Sequence, residues 1–142
     1  MTARFPGKGV VKGHNLVRRT VRYGTNVIGE PGAVLFRADI ARRIGQFDAS
    51  LAFVMDLDYW VRLLKLGDAY LIPEALCTFR ISRENWSARL GNSRRTQYLE
   101  FIEKLSGLGI GTSRIDRFLG RSMATVNELL RRFVYRKIRG VP

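Results

Sequence analysis

Two aspartates stand two positions apart in the stretch Phe53-Val-Met-Asp-Leu-Asp-Tyr-Trp-Val-Arg-Leu-Leu64, where Leu57, Trp60, Val61 and Leu64 recur at helical spacing. A carboxylate at the mouth of a helix has two uses. It can cap the helix, accepting hydrogen bonds from the first free backbone N–H groups at the positive end of the helix dipole. It can also act as a general base at the rim of a site, taking a proton from a hydroxyl it already hydrogen-bonds. At 3.6 residues per turn Asp56 and Asp58 leave the helix about 200° apart, so they point to different sides.

The elements that must position this stretch can be read in order. Residues up to Gly13 read as a loose, Gly- and Lys-rich lead-in. Asn15 is a candidate cap for a short basic helix over 16–23, ending at Gly24. Pro31-Gly32 fits the centre of a type II turn. The apolar run Ala33-Val-Leu-Phe36 reads as a buried strand. A helix is expected over 37–44, with Asp39 in its first turn and Gly45 as its stop. The Asp56 helix should end near Gly67. Residues 69–72 and 75–81 read as strands broken by Pro73. A helix from Arg94 to Leu105 puts Tyr98, Phe101, Ile102 and Leu105 on one face. Ser113 and Asp116 make a capping-box-like start for a last helix that carries Ile115, Phe118, Leu119, Met123, Val126, Leu129, Leu130, Phe133, Val134 and Ile138 at three- and four-residue steps.

Composition narrows the classes. A chain of 142 residues, 46% hydrophobic, can build one real core and is not disordered. No apolar run is long enough to span a bilayer, and the first residues carry no apolar segment of the signal-peptide kind. The single cysteine, Cys77, has no disulfide partner, and its apolar neighbours suggest a buried, inert thiol. The net charge of +13 is uneven. Residues 1–25 hold six Lys/Arg and no acid, 26–87 hold seven bases and eight acids, and 88–142 hold twelve bases and four acids. Basic arms flanking a neutral centre suggest anionic contacts: nucleic acid, a phosphate-bearing substrate, or an anionic membrane leaflet.

Four pieces, taken together, resemble the family 2 glycosyltransferases of GT-A fold. Gly29-Glu-Pro-Gly-Ala-Val-Leu-Phe-Arg37 resembles the strand entering the acceptor side. Ile44-Gly-Gln-Phe-Asp48 resembles the family's GGFDE turn, with Gln46 for a glycine and Ala49 for the acid. Met55-Asp-Leu-Asp-Tyr-Trp60, with Arg62, Leu63 and Gly67, resembles the acidic motif and its helix. Phe79-Arg80 through Ser87 resembles the segment that ends the core. The likeness covers 26–87, which divides the chain into a basic lead-in (1–25), the C-terminal half of a catalytic core (26–87) and a basic helical extension (88–142).

This resemblance implies an α/β fold: a partial GT-A-like sheet with packed helices and a helical C-terminal extension. It implies inverting transfer of a sugar from a nucleotide-sugar to the hydroxyl of a glycan acceptor, with Asp56 as the base. Asp58 would be structural or orient the acceptor, and Arg62 and Trp60 would be scaffold. Arg80, Trp86 and Ser87 would bind substrate in a flap near the donor diphosphate, where an arginine opposes phosphate charge. Met55 replaces the first acid of the pair, and Ser82 stands where many members carry a histidine. The family's donor half, with an Asp-x-Asp motif that holds Mg²⁺ or Mn²⁺, has no counterpart before Asn26. A partial enzyme is therefore expected, inactive alone and binding no metal by itself: a truncated product, a gene fragment, or one half of a split enzyme whose partner is a donor-half polypeptide. Its unpaired sheet edge and apolar face would be left exposed.

Two other classes fit the charge. A nucleic-acid-binding module would use the basic arms, and arginine outnumbers lysine twenty to five. Against it, aromatic residues are not interleaved with the basic runs and no recognition motif is present. Alternatively, Ser113–Arg139 would lie on an anionic membrane surface or pack on the core. The expected location is cytoplasmic, with a place at the inner membrane face if that helix meets lipid.

Overall fold

The computed structural model describes residues 8–78, 93–107, 109 and 111–139, the last five by backbone alone. The described chain is mixed α/β and mostly helical. In order come β1 (Gly9–Val11), α1 (Gly13–Tyr23), α2 (Ala38–Ile44), α3 (Met55–Leu64), β2 (Ala69–Leu71), α4 (Ser93–Gly107) and α5 (Arg114–Arg139). Two 3₁₀ turns, Pro31–Ala33 and Ala49–Leu51, lie between.

The core is made by helices that meet from distant parts of the chain. Val17 and Val21 of α1, Leu57 and Val61 of α3, Tyr98, Phe101, Ile102 and Leu105 of α4, and Ala124 of α5 form one buried cluster. Burying a side chain such as Phe101 contributes about 1.5–3 kcal/mol. The Tyr98 hydroxyl donates to the Thr20 carbonyl oxygen (2.7 Å), tying α4 to α1. A Cβ at Gly120 of α5 would fall on the Val21 carbonyl oxygen, and one at Gly24 on the α5 backbone near Ala124. Only glycine lets these helices approach so closely, and Gly24 also takes the left-handed conformation (φ 63°) that ends α1.

Several local expectations hold. Helix α2 starts one residue late and stops at Gly45, and α4 buries the four expected residues. The box at the start of α5 is complete. The Ser113 hydroxyl accepts from the Asp116 N–H (3.0 Å), while Asp116 Oδ2 accepts from the Ser113 N–H (3.2 Å).

Others are corrected. Residues 9–11 are not lead-in but a strand, antiparallel to β2 with Val10 opposite Tyr70. Asn15 does not cap α1. Asp68, brought next to it by the sheet, accepts from the Gly13 N–H (3.0 Å) and binds Lys12 (2.9 Å). Pro31-Gly32 forms a 3₁₀ turn instead of type II, since Gly32 is not in the positive-φ region that type II demands. Val54 takes the N-cap position of α3 without a side-chain hydrogen bond, and both aspartates lie inside the first turn.

The largest correction concerns Ala33–Phe36. This run joins no sheet, because among the described residues β1 and β2 pair only with each other. Phe36 packs edge-on against Tyr59 (5.8 Å between centroids), while Leu35 is 98% exposed. Residues 75–78 likewise form no strand and are exposed, so Cys77 is a surface thiol and not a buried one. The rest of that expected strand, 79–81, lies outside the described residues.

Candidate active site around Asp56

Asn26 builds the site's frame. Its Oδ1 accepts from the Ile28 (2.9 Å) and Gly29 (3.1 Å) N–H groups, an Asx turn that folds 26–29 on itself. Its Nδ2 donates to the Gly29 carbonyl (3.0 Å) and to Asp56 Oδ2 (3.1 Å). The buried Trp60 pins the same turn from α3, with its indole N–H donating to the Gly29 carbonyl (3.1 Å). Thus the loop that carries Glu30 is held against the first turn of α3 by one amide and one indole.

Asp56 lies in that first turn, where its Oδ1 accepts from the Leu57 N–H (2.7 Å). Burial pushes its carboxyl above the usual aspartate range, outweighing the hydrogen bonds from Leu57 and Asn26 that favour the charged form. Glu30 is its neighbour in charge. Partial desolvation and then the charge of Asp56 raise its carboxyl, while Arg131 draws it back down. Arg131 reaches this corner from α5, donating to Thr25 Oγ1 (3.2 Å) with its guanidinium 5.2 Å from the Phe53 ring centroid. Two carboxylates with raised affinity for protons, an orienting amide and an arginine can take a proton from a hydroxyl and hold an anionic group beside it.

Asp58 faces elsewhere. It is fully buried, paired with Arg62 Nε (2.9 Å) and Lys104 Nζ (2.8 Å), and offers no atom to a substrate. Lys104 also binds Asp48 (2.8 Å), and Arg62 donates to the carbonyls of Ile44 and Gln46 (both 2.8 Å). Phe47 stacks on Tyr59 at 4.0 Å. The Ile44–Asp48 turn is therefore a bracket that fixes α3 from the side opposite the Asp56 corner. Since the two aspartates belong to different networks, Asp56-Leu-Asp58 does not chelate as a pair. No group of three or more His, Cys, Asp or Glu among the described residues is arranged to hold a metal ion.

Arg80, Trp86 and Ser87 lie outside the described residues. Sequence reasoning missed Asn26, Glu30 and Arg131. Asn26-Val-Ile-Gly29 carries a legible signal, the Asx turn, but nothing local marks Glu30 or Arg131, which arrive by tertiary contact. The solitary His14 lines a hollow of about 410 Å³ with Lys65 and Asp68, at the other end of α3 from Asp56.

The raised affinity of Asp56 for its proton has a measurable sign. A carboxyl whose pKa is higher folded than unfolded stabilises the fold when protonated, and that contribution is lost as pH rises through the folded pKa. Against Asp56→Asn, the wild-type chain should thus lose relative stability between pH 4 and pH 7.5, read as the difference in urea midpoints. A relative gain over that range would show that the charged form is favoured there.

No protein-family model matches the chain, and no solved structure does. Among curated proteins, the chain is 33% identical over 85 residues to an uncharacterized protein of Mycobacterium tuberculosis (strain CDC 1551 / Oshkosh). The match covers 58% of this chain and 27% of that relative, so the chain spans about a quarter of the length of the curated protein it matches.

Proposed function

We propose that this chain is the acceptor-side part of an inverting glycosyltransferase, in which Asp56 takes the proton from an acceptor hydroxyl as that oxygen attacks the anomeric carbon of a nucleotide-sugar. The carbon–oxygen bond to the leaving nucleoside diphosphate breaks in the same step, and the proton stays on Asp56 until solvent removes it. The observation that carries this reading is the state of Asp56: half-buried, raised in proton affinity and aimed by Asn26. A carboxylate raised in proton affinity and fixed in orientation suits hydroxyl activation. The resemblance of 26–87 to family 2 supplies the reaction class, and a GT-A-like sheet is part of the same proposal.

The donor half belongs, on this reading, to polypeptide outside these 142 residues. The exposed run ending in Leu35 and Phe36 suits it, since an extended apolar segment without a ladder partner accepts a neighbouring strand. The parent family uses Mg²⁺ or Mn²⁺ at the donor diphosphate. The described residues do not fit such an ion, because Asp58 is consumed by Arg62 and Lys104, so no step here runs through a metal.

Calorimetric titration with UDP-, GDP- and dTDP-sugars in the presence of Mn²⁺ tests the division of labour. The chain alone should show no saturable uptake. Co-expressed with a polypeptide that supplies a nucleotide-binding half, it should bind one donor and transfer its sugar. Tight, metal-dependent binding by the chain alone would overturn the half-site reading.

A further inference from the structure

We propose that the outward face of α5 is a membrane-contact surface that seats the protein on an anionic leaflet. The helix is amphipathic, but it packs in the unexpected sense. Its inward face is small and polar: Asp116, Gly120, Ala124, Asn127 and Glu128 are buried. The three polar ones each have a partner that explains their place. Asp116 binds Arg18 (2.8 Å). Asn127 Nδ2 donates to the Tyr23 and Gly24 carbonyls (2.8 and 3.1 Å). Glu128 takes Arg94 in two hydrogen bonds (3.1 and 2.8 Å).

With the core side satisfied in this way, the large apolar residues are turned to solvent. Ile115, Phe118, Val126, Leu129, Leu130 and Phe133 are all exposed, Phe118 by 70% and Phe133 by 60%. At about 100° per residue they fall within one stripe along the helix, well separated from the buried face. A continuous apolar stripe of this length on a surface helix marks a contact surface and not scattered exposure.

Charge identifies the occupant. Arg114, Arg121 and Arg132 are exposed along one flank of the stripe, Arg121 beside Glu103 and Arg132 beside Glu128, and residues 88–142 as a whole carry twelve bases against four acids. A second copy meeting the stripe would bring its own arginines against these, in a chain of net charge +13. A leaflet rich in anionic lipid complements them, with acyl chains receiving the stripe and headgroups the guanidinium groups. Among the described residues no helix is long and apolar enough to cross a membrane; α5 has the length but carries too many charges, so it lies in the interface plane. This inference stands apart from the role of Asp56 and survives its failure.

Vesicle flotation of the full chain decides the matter, with phosphatidylglycerol/phosphatidylcholine vesicles compared with pure phosphatidylcholine. Wild-type protein should float with the anionic vesicles. The triple variant Phe118→Ser/Leu129→Ser/Phe133→Ser should partition at least about tenfold less. Its urea midpoint should not fall, because the three sites are exposed, which separates lost docking from lost folding. Flotation with neither vesicle would overturn the proposal. So would anionic binding that the triple variant retains, which means charge alone. A concentration-dependent dimer abolished by the triple variant, with no flotation, would also overturn it by assigning the stripe to a second copy.

Discussion

Asp58→Asn will destabilise the fold by about 3 kcal/mol, the low end of the cost of breaking a buried ion pair from one side. Asp58 is wholly buried between two cations, and its neutralisation leaves both facing an amide that donates as readily as it accepts. The loss stays at the low end because neither cation is abandoned. Arg62 keeps the Ile44 and Gln46 carbonyls, and Lys104 keeps Asp48. In wild type the two carboxylates prevail over the burial that would by itself lower the Lys104 pKa, and they hold it above its ordinary value. Urea unfolding should show a lower midpoint with an unchanged slope. A change under about 0.5 kcal/mol would mean that the bracket does not hold α3 in solution.

Asp56→Asn, two residues away, should do the reverse. The fold loses little at neutral pH, since a desolvated carboxylate is replaced by a neutral isostere whose one oxygen still accepts from Leu57, at the expense of the hydrogen bond from Asn26. Transfer by the reconstituted enzyme should fall by about 10²–10⁴, the usual contribution of a positioned general base. Donor affinity should be unchanged, so the deficit should appear in kcat and not in KM. A transfer rate within threefold of wild type would remove Asp56 from the chemistry. The pair of variants is diagnostic as a set: one carboxylate spends its charge on stability, the other holds its charge at a cost to stability.

How much of this was legible depended on whether the deciding interaction is local. The Ser113–Asp116 box and the Gly45 stop lie within a few residues of what they act on, and both can be read from the chain. Tyr98, Phe101, Ile102 and Leu105 were readable because one apolar face on a short helix leaves a single way to bury it. On α5 the same reasoning finds the stripe but not its direction. Periodicity reports that a helix has two faces; Gly120, Asn127 and Glu128 decide which turns inward, through partners about a hundred residues or more than thirty residues away. Ala33–Phe36 reads as a strand by composition, yet strand pairing is a property of two segments and the described chain supplies no second. The candidate site shows the same limit. Asp56 is marked by its motif, while Glu30 and Arg131 become part of its surroundings only when 26–30 and α5 close around the start of α3.

The close seat of α5 on α1 also sets a timetable. Val21 and Gly24 meet Gly120 and Ala124, so the surface that covers α1 is translated about a hundred residues after it. At about 5–20 residues per second, the side of α1 that meets α5 waits roughly 5–20 s for its cover, while Val17 and Val21 can meet Leu57 and Val61 of α3 sooner. During that interval the nascent chain shows a face of α1 that the finished protein covers.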